Sequence, residues 1–448
     1  MKPRTERDDA KRPQREPRRR RRRHPLLELL RELFSWLRWL PSFPLFALLA
    51  ALPSAGCGEA LDGAAAGTRS EAAVDGASDG GGEPAPTPAR TAVPRAQRLA
   101  RDKAAALARA GELERGDAAV VDREFAAALQ GLVDEPSAKR FGRFGDDWLP
   151  KSAARGWLAW NGRESDAGLP LALRVEAQDH PFAVLVDLQQ QLAAAGALLL
   201  FVPIPSRAEL EPELLLPARA GATPLPPRVA ATTRFLAKLA EAGVESVDLA
   251  PAFTAQRTDP DPRRTRLYLR GNNHWTPRGA ELAAEQVAAR LAEFEPAELA
   301  AVELPLPSHR FVEGRDFDVV RRLGQVRGEG IGQAEGAPSE AVGVNAVEWR
   351  AGGGPTAERA RGSSIVLLGD SFAAMHKELH GSFVDQLVRF TGLPIDVIAP
   401  QGGAELACRE ALSRRDAPLA GKKVVIWLLP APLLAPSGLW KRVAMGGG

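Results

Sequence analysis

Two side chains that are encoded far apart, Ser371 and His274, have the types needed for nucleophilic catalysis. Ser371 lies in the segment LLGDSF, directly after an apolar run, and His274 lies in GNNHWTP. A serine hydroxyl is a poor nucleophile until a neighbouring base takes its proton, and histidine is the commonest such base. The pair therefore predicts acyl transfer through an ester on the serine, provided that the fold brings the two side chains together.

The position of Ser371 in the chain suits this chemistry. The apolar run predicts a buried strand, and Gly369 and Asp370 predict a turn into a helix that begins at the serine. A serine there points out of the carboxyl edge of the sheet, where ligands bind in α/β proteins. The helix N-terminus also offers backbone N–H groups to a developing oxyanion. The alternative is that Asp370 and Ser371 only cap the helix, and that His274 only makes loop hydrogen bonds.

A second pair of histidines, His376 and His380, stands four residues apart in HKELH. That spacing can hold a metal on a helix, but a third ligand is not evident and the order differs from HExxH. We therefore expect a solvated helix face there. The sequence also lacks a Gly-rich phosphate loop and a dinucleotide fingerprint, so it predicts no metal and no cofactor.

The elements around these residues alternate between strands and helices, which is the pattern of βαβ units. Strands are predicted at 197–202, 244–249, 363–368, 395–399 and 422–428. Helices are predicted at 182–195, 228–242, 277–291, 372–391 and 405–414. We expect a three-layer α/β/α domain with a mainly parallel sheet over residues 141–448. A Gly-rich and charged stretch at about 303–362 predicts an irregular insertion.

The first 57 residues have the pattern of an export signal or membrane anchor. Residues 18–23 are six consecutive arginines, and an uncharged, mostly apolar run covers 39–58. The arginines predict that this end stays cytoplasmic and that the rest is exported to the periplasmic side. Residues 54–57 resemble a lipobox whose Cys57 would be lipidated; an uncleaved anchor, or cleavage near Ala55, are the alternatives. Because an apolar run follows the arginines directly, we expect membrane attachment rather than a nucleic-acid partner.

Between the targeting segment and the α/β domain we predict two further regions. Residues 58–95 have few large apolar side chains and predict a disordered linker. Residues 96–140 predict a helical region, broken near 111–116, that forms either a stalk or a packed helix pair. The net charge of +3 favours no particular partner, and two cysteines, Cys57 and Cys408, are too few for a disulfide scaffold.

Taken together, these motifs resemble the SGNH hydrolase-like domain of the AlgX/AlgJ alginate O-acetylation proteins. The resemblance rests on GDSF after an apolar strand, on HWTPRGA upstream of it, and on the closing strand KKVVIW. Supporting segments are GWL at 156–158 and PIPSR at 203–207, and the resemblance covers about 141–437. It implies an extracytoplasmic enzyme that moves acetyl groups onto a polysaccharide through Ser371 and His274, with a membrane-embedded acyltransferase as a source of the acetyl group.

The chain departs from the family pattern at the third catalytic position. The family has an aspartate two residues before the histidine, where this chain has Asn272. An asparagine can orient an imidazole but cannot balance the charge of an imidazolium, and an equivalent replacement in a serine protease costs ~10⁴-fold in rate. Asp259 or Asp261 could approach instead, or the domain could have lost catalysis.

Further site residues follow from the implied mechanism. Gly402 or Gly403 could donate a second oxyanion hydrogen bond. Tyr268, Trp275 and Trp157 could stack on a sugar, although tryptophans more often pack in cores. Three functions stay open at this point: an O-acetyltransferase, a carbohydrate esterase that uses water as the acceptor, and a catalytically impaired polysaccharide-binding or assembly protein.

Overall fold

The protein's computed structural model describes most of the chain after residue 91. The described ranges are 92–136, 139–144, 147–164, 180–221, 224–259, 265–299, 309–311, 322–326, 334, 340–349, 360–435 and 438–446. The predicted targeting segment, with Cys57, and nearly all of the predicted linker lie outside them. Within these ranges, no helix combines the length and the apolar character that crossing a membrane requires.

Eleven strands occur in the described ranges. They are β1 (Phe141–Phe144), β2 (Asp147–Pro150), β3 (Leu198–Ile204), β4 (Glu245–Ser246), β5 (His309–Phe311), β6 (Arg322–Val326), β7 (Glu340–Val344), β8 (Val347–Trp349), β9 (Ile365–Leu368), β10 (Asp396–Ile398) and β11 (Val424–Pro430). Five of them form one parallel sheet in the order β10-β9-β11-β3-β4. The last strand, β11, therefore lies in the middle of the sheet, which its continuous apolar run allows.

Helices cover both faces of this sheet. In chain order they are α1 (Arg95–Leu113), α2 (Ala118–Asp134), α3 (Lys151–Glu164), α4 (Pro181–Ala194), α5 (Arg207–Leu210), α6 (Ala230–Glu241), α7 (Ala250–Gln256), α8 (Pro277–Ala292), α9 (Pro296–Leu299), α10 (Ser371–Ala374), α11 (Phe383–Thr391) and α12 (Ala407–Ser413). Along β3, Leu198, Leu200 and Val202 pack into one core with α8 and α11. Leu199 and Phe201 pack into a second core with α4, α6 and α12. The predicted three-layer α/β/α architecture is confirmed.

The helical region before the sheet contacts the edge strand β4 through α1, while α2 packs on α3. Its two helices are separated where the break was expected, since α1 ends at Leu113 and α2 begins at Ala118. Arg98 of α1 is fully buried and forms ion pairs with Glu245 of β4 at 2.7 Å and with Glu298 of α9 at 2.9 Å. An arginine buried between two carboxylates is a costly arrangement to break, because either partner left alone would be an uncompensated charge.

The prediction of one continuous helix at 372–391 is wrong. Helix α10 ends at Ala374, a 3₁₀ turn covers Lys377–Leu379, and α11 begins at Phe383. His376 and His380 flank the turn in the left-handed conformation, with φ of 70° and 55°. The two histidines therefore do not share a helix face, and His376 is buried, with its Nε2 bonded to the carbonyl of Trp275 at 2.9 Å, rather than solvated.

The insertion predicted as irregular contains strands in its described parts. β5 pairs with β8 and β6 pairs with β7, both antiparallel. At the start of β7, the Glu340 carboxylate accepts hydrogen bonds from the backbone N–H of Arg270 at 2.8 Å and from the guanidinium of Arg266 at 2.7 Å. The insertion thus holds the segment that leads into His274.

Candidate active site

Ser371 opens helix α10 directly after the turn that ends strand β9. Asp370 caps this helix, since its Oδ1 accepts the backbone N–H of Phe372 at 2.9 Å. The capping interpretation is therefore true of Asp370. It leaves the Ser371 hydroxyl, which is partly exposed, free to face the carboxyl edge of the sheet. The backbone N–H of Ser371 is at the first helical position, where such groups lack a partner within the helix.

His274 lies in a tight loop closed by an isolated antiparallel bridge between Tyr268 and Trp275. Inside the loop, the backbone N–H of Leu269 donates to the carbonyl of His274 at 3.1 Å. Directly after it, Thr276 caps helix α8 by accepting the N–H of Gly279 at 3.2 Å. These bonds hold the backbone on both sides of His274, and the residue is only 4% exposed.

The structure brings Ser371 and His274 together. Their Oγ and Nε2 atoms are 2.7 Å apart. On the other side of the ring, Nδ1 lies 2.6 Å from Oδ1 of Asn272, and this same oxygen accepts the backbone N–H of His274 at 3.1 Å. An oxygen that accepts the backbone N–H must also accept from Nδ1–H. The ring proton is therefore on Nδ1, and Nε2 is the free base that faces the serine.

Burial sets the charge state of this imidazole. It lowers the pKa of His274 to about 4, and repulsion between the two protonated imidazoles of His274 and His376 adds a smaller effect in the same direction. An ordinary histidine titrates near ~6.5. At neutral pH the imidazole is therefore neutral and able to accept a proton, but it gains no stabilisation as an imidazolium from the uncharged Asn272.

A cavity of about 690 Å³ opens over this pair, at the carboxyl ends of strands β3, β9 and β11. This is the edge of the sheet at which ligands bind in open α/β folds. Its apolar wall is contributed by helices α2 and α3, by strand β2 and by the segment after β11. The wall residues include Leu129, Leu132, Trp148, Leu149, Pro432 and Leu433. The volume is in the range of pockets that bind small molecules (~300–1,000 Å³).

Of the two glycines expected to contribute to an oxyanion site, only Gly402 lines the cavity. Gly402 has a positive φ of 63°, which glycine adopts without strain. Gly403 faces away, because its N–H donates to the carbonyl of Pro400 at 3.2 Å and Ala407 occupies the space beside its Cα. The backbone N–H of Gly403 is therefore not available to an oxyanion.

The three aromatic residues predicted to stack on a sugar have different positions. Tyr268 lines the cavity, with its hydroxyl donating to the carbonyl of Pro205. Trp275 is fully buried in the core, stacked on Phe383 at 5.8 Å, and does not line the cavity. Trp157 is also buried, and its indole N–H donates to the carbonyl of Arg228 at 3.1 Å. Trp148, which the sequence did not single out, is the tryptophan on the cavity wall.

Of the two alternative acids, the structure describes Asp259, which is bonded elsewhere. The Asp259 carboxylate accepts a hydrogen bond from Gln256 Nε2 at 2.8 Å, and Asp261 lies outside the described residues. The Nδ1 position is taken by Asn272. Among the described residues, no group of three or more His, Cys, Asp or Glu side chains has the arrangement of a metal site.

Two charged residues on the cavity wall were missed by the sequence reasoning. Arg207 follows strand β3, so the rule that sites form at carboxyl strand ends could have found it. Glu405 lies in the connection after β10, and only its proximity to Gly402 and Gly403 in the sequence could have pointed to it.

Comparison with known proteins places the sequence next to one family. Residues 174–431 match the family model described as "SGNH hydrolase-like domain, acetyltransferase AlgX". The chain is 28% identical over 116 residues to a probable alginate O-acetylase AlgJ of Pseudomonas syringae pv. tomato, covering 26% of this chain and 27% of that protein. It is 23% identical over 282 residues to the alginate biosynthesis protein AlgX of Pseudomonas putida, covering 60% of this chain and 56% of that protein.

Among solved structures, the O-acetyltransferase domain of Pseudomonas putida AlgJ matches with 17% identity and a TM-score of 0.42, over 60% of this chain and 87% of that one. Of the two curated relatives, the chain matches 27% of the length of the AlgJ protein and 56% of the length of the AlgX protein.

Proposed function

This chain belongs to the family of SGNH hydrolase-like acetyltransferase domains related to AlgX, and from this premise we propose that it is an O-acetyltransferase that acts through an acetyl ester on Ser371. The observation that carries the proposal is the 2.7 Å contact between Ser371 Oγ and the unprotonated Nε2 of His274. A nucleophile within hydrogen-bond reach of a base, with a third group orienting the base, is the arrangement that activates a serine.

In the first half-reaction, Nε2 of His274 takes the hydroxyl proton of Ser371 while Oγ attacks the carbonyl carbon of an acetyl ester. The negative charge on the carbonyl oxygen is stabilised by the backbone N–H of Ser371, which has no partner within the helix. The bond to the donor's alcohol oxygen then breaks, and that oxygen receives the proton from Nε2. The acetyl group remains on Oγ.

In the second half-reaction, a sugar hydroxyl replaces the departed alcohol. Nε2 takes its proton, the sugar oxygen attacks the acetyl carbon, and the bond to Oγ breaks as the proton returns to the serine. The apolar wall of the cavity favours a sugar over water as the acceptor, because it offers surface for the C–H faces of the ring. Transfer to water by the same steps would make the protein an esterase.

Asn272 supports one rival to this proposal. Because its side chain carries no charge, it cannot stabilise the imidazolium that forms in both half-reactions, and slow turnover is the expected result. A domain of this kind that holds polysaccharide without modifying it is the second candidate function. The retained contact between serine and imidazole argues for turnover.

The proposed acceptor is a polysaccharide, in line with the names of the two curated relatives, both of which refer to alginate. We place the reaction outside the cytoplasm, because an arginine run followed by an apolar run is typical of an exported or anchored chain. Lipidation at Cys57, and a membrane-embedded acyltransferase as the source of acetyl groups, are parts of the same proposal.

The test is covalent labelling of the full-length protein with a serine-directed phosphonate, followed by peptide mass mapping. We expect the phosphonate on Ser371 and hydrolysis of an aryl acetate at a rate that Ser371→Ala reduces to background. The matched control is Ser413→Ala, on helix α12 outside the cavity, which should label and turn over like the wild type. Equal aryl acetate rates in wild type and Ser371→Ala, without a label on Ser371, would favour the binding role.

A further inference from the structure

The cavity over Ser371 has an unusual balance of charge for a site that would hold an anionic polymer. Among the described residues of its lining, three side chains carry a formal charge at neutral pH: Arg207, Asp370 and Glu405. Two of the three are carboxylates. A site for a polyanion would be expected to present several arginines or lysines, since opposite charge attracts and orients the ligand.

The one cation of this described lining is already neutralised. The Arg207 guanidinium forms ion pairs with Asp147 at 2.8 Å and with Glu211 at 2.9 Å. Only 10% of its side chain is exposed. It also faces the backbone carbonyls of Leu269 and Arg270 at 3.5 Å. The N–H groups of Arg207 therefore donate to groups of the protein, and its charge is balanced by the two carboxylates beside it.

The two carboxylates are not neutralised in the same way. The cation near Glu405 is Arg409, and its N–H groups donate to three backbone carbonyls, those of Glu405, Lys441 and Leu439. Its guanidinium lies 5.0 Å from the centre of the Trp427 ring. Asp370 accepts only neutral N–H groups of the backbone in the contacts seen here, including that of Phe372.

The pKa values agree with this geometry. Burial, with a smaller contribution from the neighbouring charge of Glu405, raises the pKa of the Asp370 carboxyl to about 6. Burial also raises the pKa of Glu405 itself. Burial disfavours the ionised forms of both acidic groups, and the charge of Glu405 also disfavours that of Asp370. A third negative charge close to them would be disfavoured in the same way, because like charges repel.

The remainder of the wall suits a neutral sugar. The side chains of Leu129, Leu132, Leu149 and Trp148 form an apolar surface on one side of the cavity. Carboxylate oxygens accept hydrogen bonds only, and the hydroxyl groups of a sugar are donors that match them. A sugar ring could thus place its C–H face on the apolar wall and donate its hydroxyls to Asp370 and Glu405.

Resting on the proposed function, we propose that the acetyl acceptor of this cavity is an uncharged glycan and that a polyuronate is excluded by the Asp370 and Glu405 carboxylates. The inference departs from the alginate named in the two curated relatives, because alginate carries a carboxylate on every sugar. Each such carboxylate in the cavity would face like charge, and among the described lining residues it would meet no cation that is not already paired.

The experiment compares two ligands that differ only in the group at C6 of each sugar. They are hexamers of β-1,4-mannan and of β-1,4-mannuronan, which share linkage and ring stereochemistry but carry CH₂OH or a carboxylate at C6. Calorimetric titration of the full-length Ser371→Ala protein at pH 8 and low salt should give a Kd for the mannan hexamer at least ~10-fold lower than for the mannuronan hexamer. Equal or tighter binding of mannuronan, or binding of neither hexamer, would overturn the proposal.

Charge variants identify the responsible carboxylate. Glu405→Lys should improve mannuronan binding relative to mannan by about fivefold or more, since it replaces a repulsive charge by an attractive one. Glu410→Lys is the matched control, because Glu410 lies outside the cavity on helix α12, paired with Arg414 at 2.7 Å. If Glu405→Lys does not fold, Glu405→Gln should still reduce the ratio of the mannuronan Kd to the mannan Kd. An unchanged preference in a folded Glu405 variant contradicts the assignment.

Failure of this inference and failure of the proposed function give different results. A phosphonate label on Ser371 together with a preference for mannuronan would retain the acetyltransferase and reject the neutral acceptor. A preference for mannan without any label on Ser371 would retain the ligand class and reject the acetyl-serine chemistry.

Discussion

Oδ1 of Asn272 accepts two hydrogen bonds from one residue, the backbone N–H and the Nδ1–H of His274. The backbone bond fixes which end of the amide faces the ring, so the asparagine cannot rotate to present its NH₂ group and reverse the tautomer. The positioning part of the aspartate's role is therefore preserved in this chain. The electrostatic part, which stabilises the imidazolium, is lost.

Asn272→Asp should restore that second part. A carboxylate in the same place can accept both hydrogen bonds and also balance the imidazolium, so we expect kcat/KM for an aryl acetate to rise at least ~10-fold, with ~10⁴-fold as the upper bound. The control is Asn273→Asp, which adds the same charge nearby, because the two ring nitrogens of His274 are bonded to Asn272 and Ser371 and not to Asn273. A gain of equal size in both variants would indicate a general charge effect.

The pH dependence of the wild-type enzyme should reflect the depressed pKa of His274. The base is active when unprotonated, so kcat/KM is expected to fall on the acid side with a midpoint near pH 4, and to stay level from about pH 5.5 to neutrality. The measurement is kcat/KM for an aryl acetate across that range. In Asn272→Asp the added anion raises the imidazole pKa, so the acid limb should move to higher pH. A wild-type midpoint near 6.5 would contradict the effect of burial.

Asp370→Asn should stabilise the protein at neutral pH. The carboxyl has a native pKa of about 6, raised by burial from its usual 3.8, so the folded state holds a proton that the unfolded state releases between these values. Its contribution to stability is therefore present below pH 3.8 and lost as pH rises through 6. Asparagine keeps an oxygen for the N–H of Phe372 and removes the ionisation, which should add about 1–3 kcal/mol to the free energy of unfolding at pH 7.5.

Urea unfolding of wild type and Asp370→Asn at pH 7.5 and pH 4 provides the comparison. The gain should shrink at the lower pH, where the wild-type carboxyl is protonated in the folded state. A gain that is the same at both pH values would show that ionisation is not its cause.

Gly156→Ala should destabilise the wall of the cavity. Gly156 lies where helix α3 meets the 3₁₀ turn Ala431–Leu434, and a Cβ there would be 2.3 Å from the carbonyl oxygen of Pro432. Because the clash is with backbone, we expect a loss of about 1–3 kcal/mol or more in the free energy of unfolding. Gly131→Ala in helix α2, where a Cβ meets nothing within 4 Å, should instead gain about 0.5–1 kcal/mol. Urea midpoints with opposite shifts would establish the contrast.

The sheet was predictable because its strands are almost continuously apolar. The predicted strand at 197–202 is found as Leu198–Ile204, and that at 422–428 as Val424–Pro430. Such runs are typical of strands buried on both faces. The predicted strand at 244–249 is reduced to Glu245–Ser246, because β4 is the edge of the sheet and pairs on one side only.

The break after α10 could not be predicted from local pattern. Residues 372–391 have helical spacing, but the contacts that stop the helix come from distant segments. The His376 imidazole bonds the carbonyl of Trp275, and Gly381 lies against Val344 of strand β7. Contacts of this kind depend on the fold of the whole domain, which a short window of sequence does not contain.

The reacting pair was predictable from residue type and position, whereas the rest of the cavity was not. Ser371 and His274 each stand at a recognisable junction between elements. Glu405 and the apolar wall from α2 carry no motif, and they become visible only when strands distant in the sequence align their ends.

The placement of strand β11 has a consequence for how the molecule is assembled. Among the described strands this one comes last in chain order, yet without it β10 and β9 would have no partner in common with β3 and β4. The serine, which follows β9, and the segment after β3 therefore stay on separate halves until residues 424–430 insert between them. The two halves of the cleft therefore join only after residues 424–430 have been made, and a chain interrupted before them would keep Ser371 apart from the segment after β3.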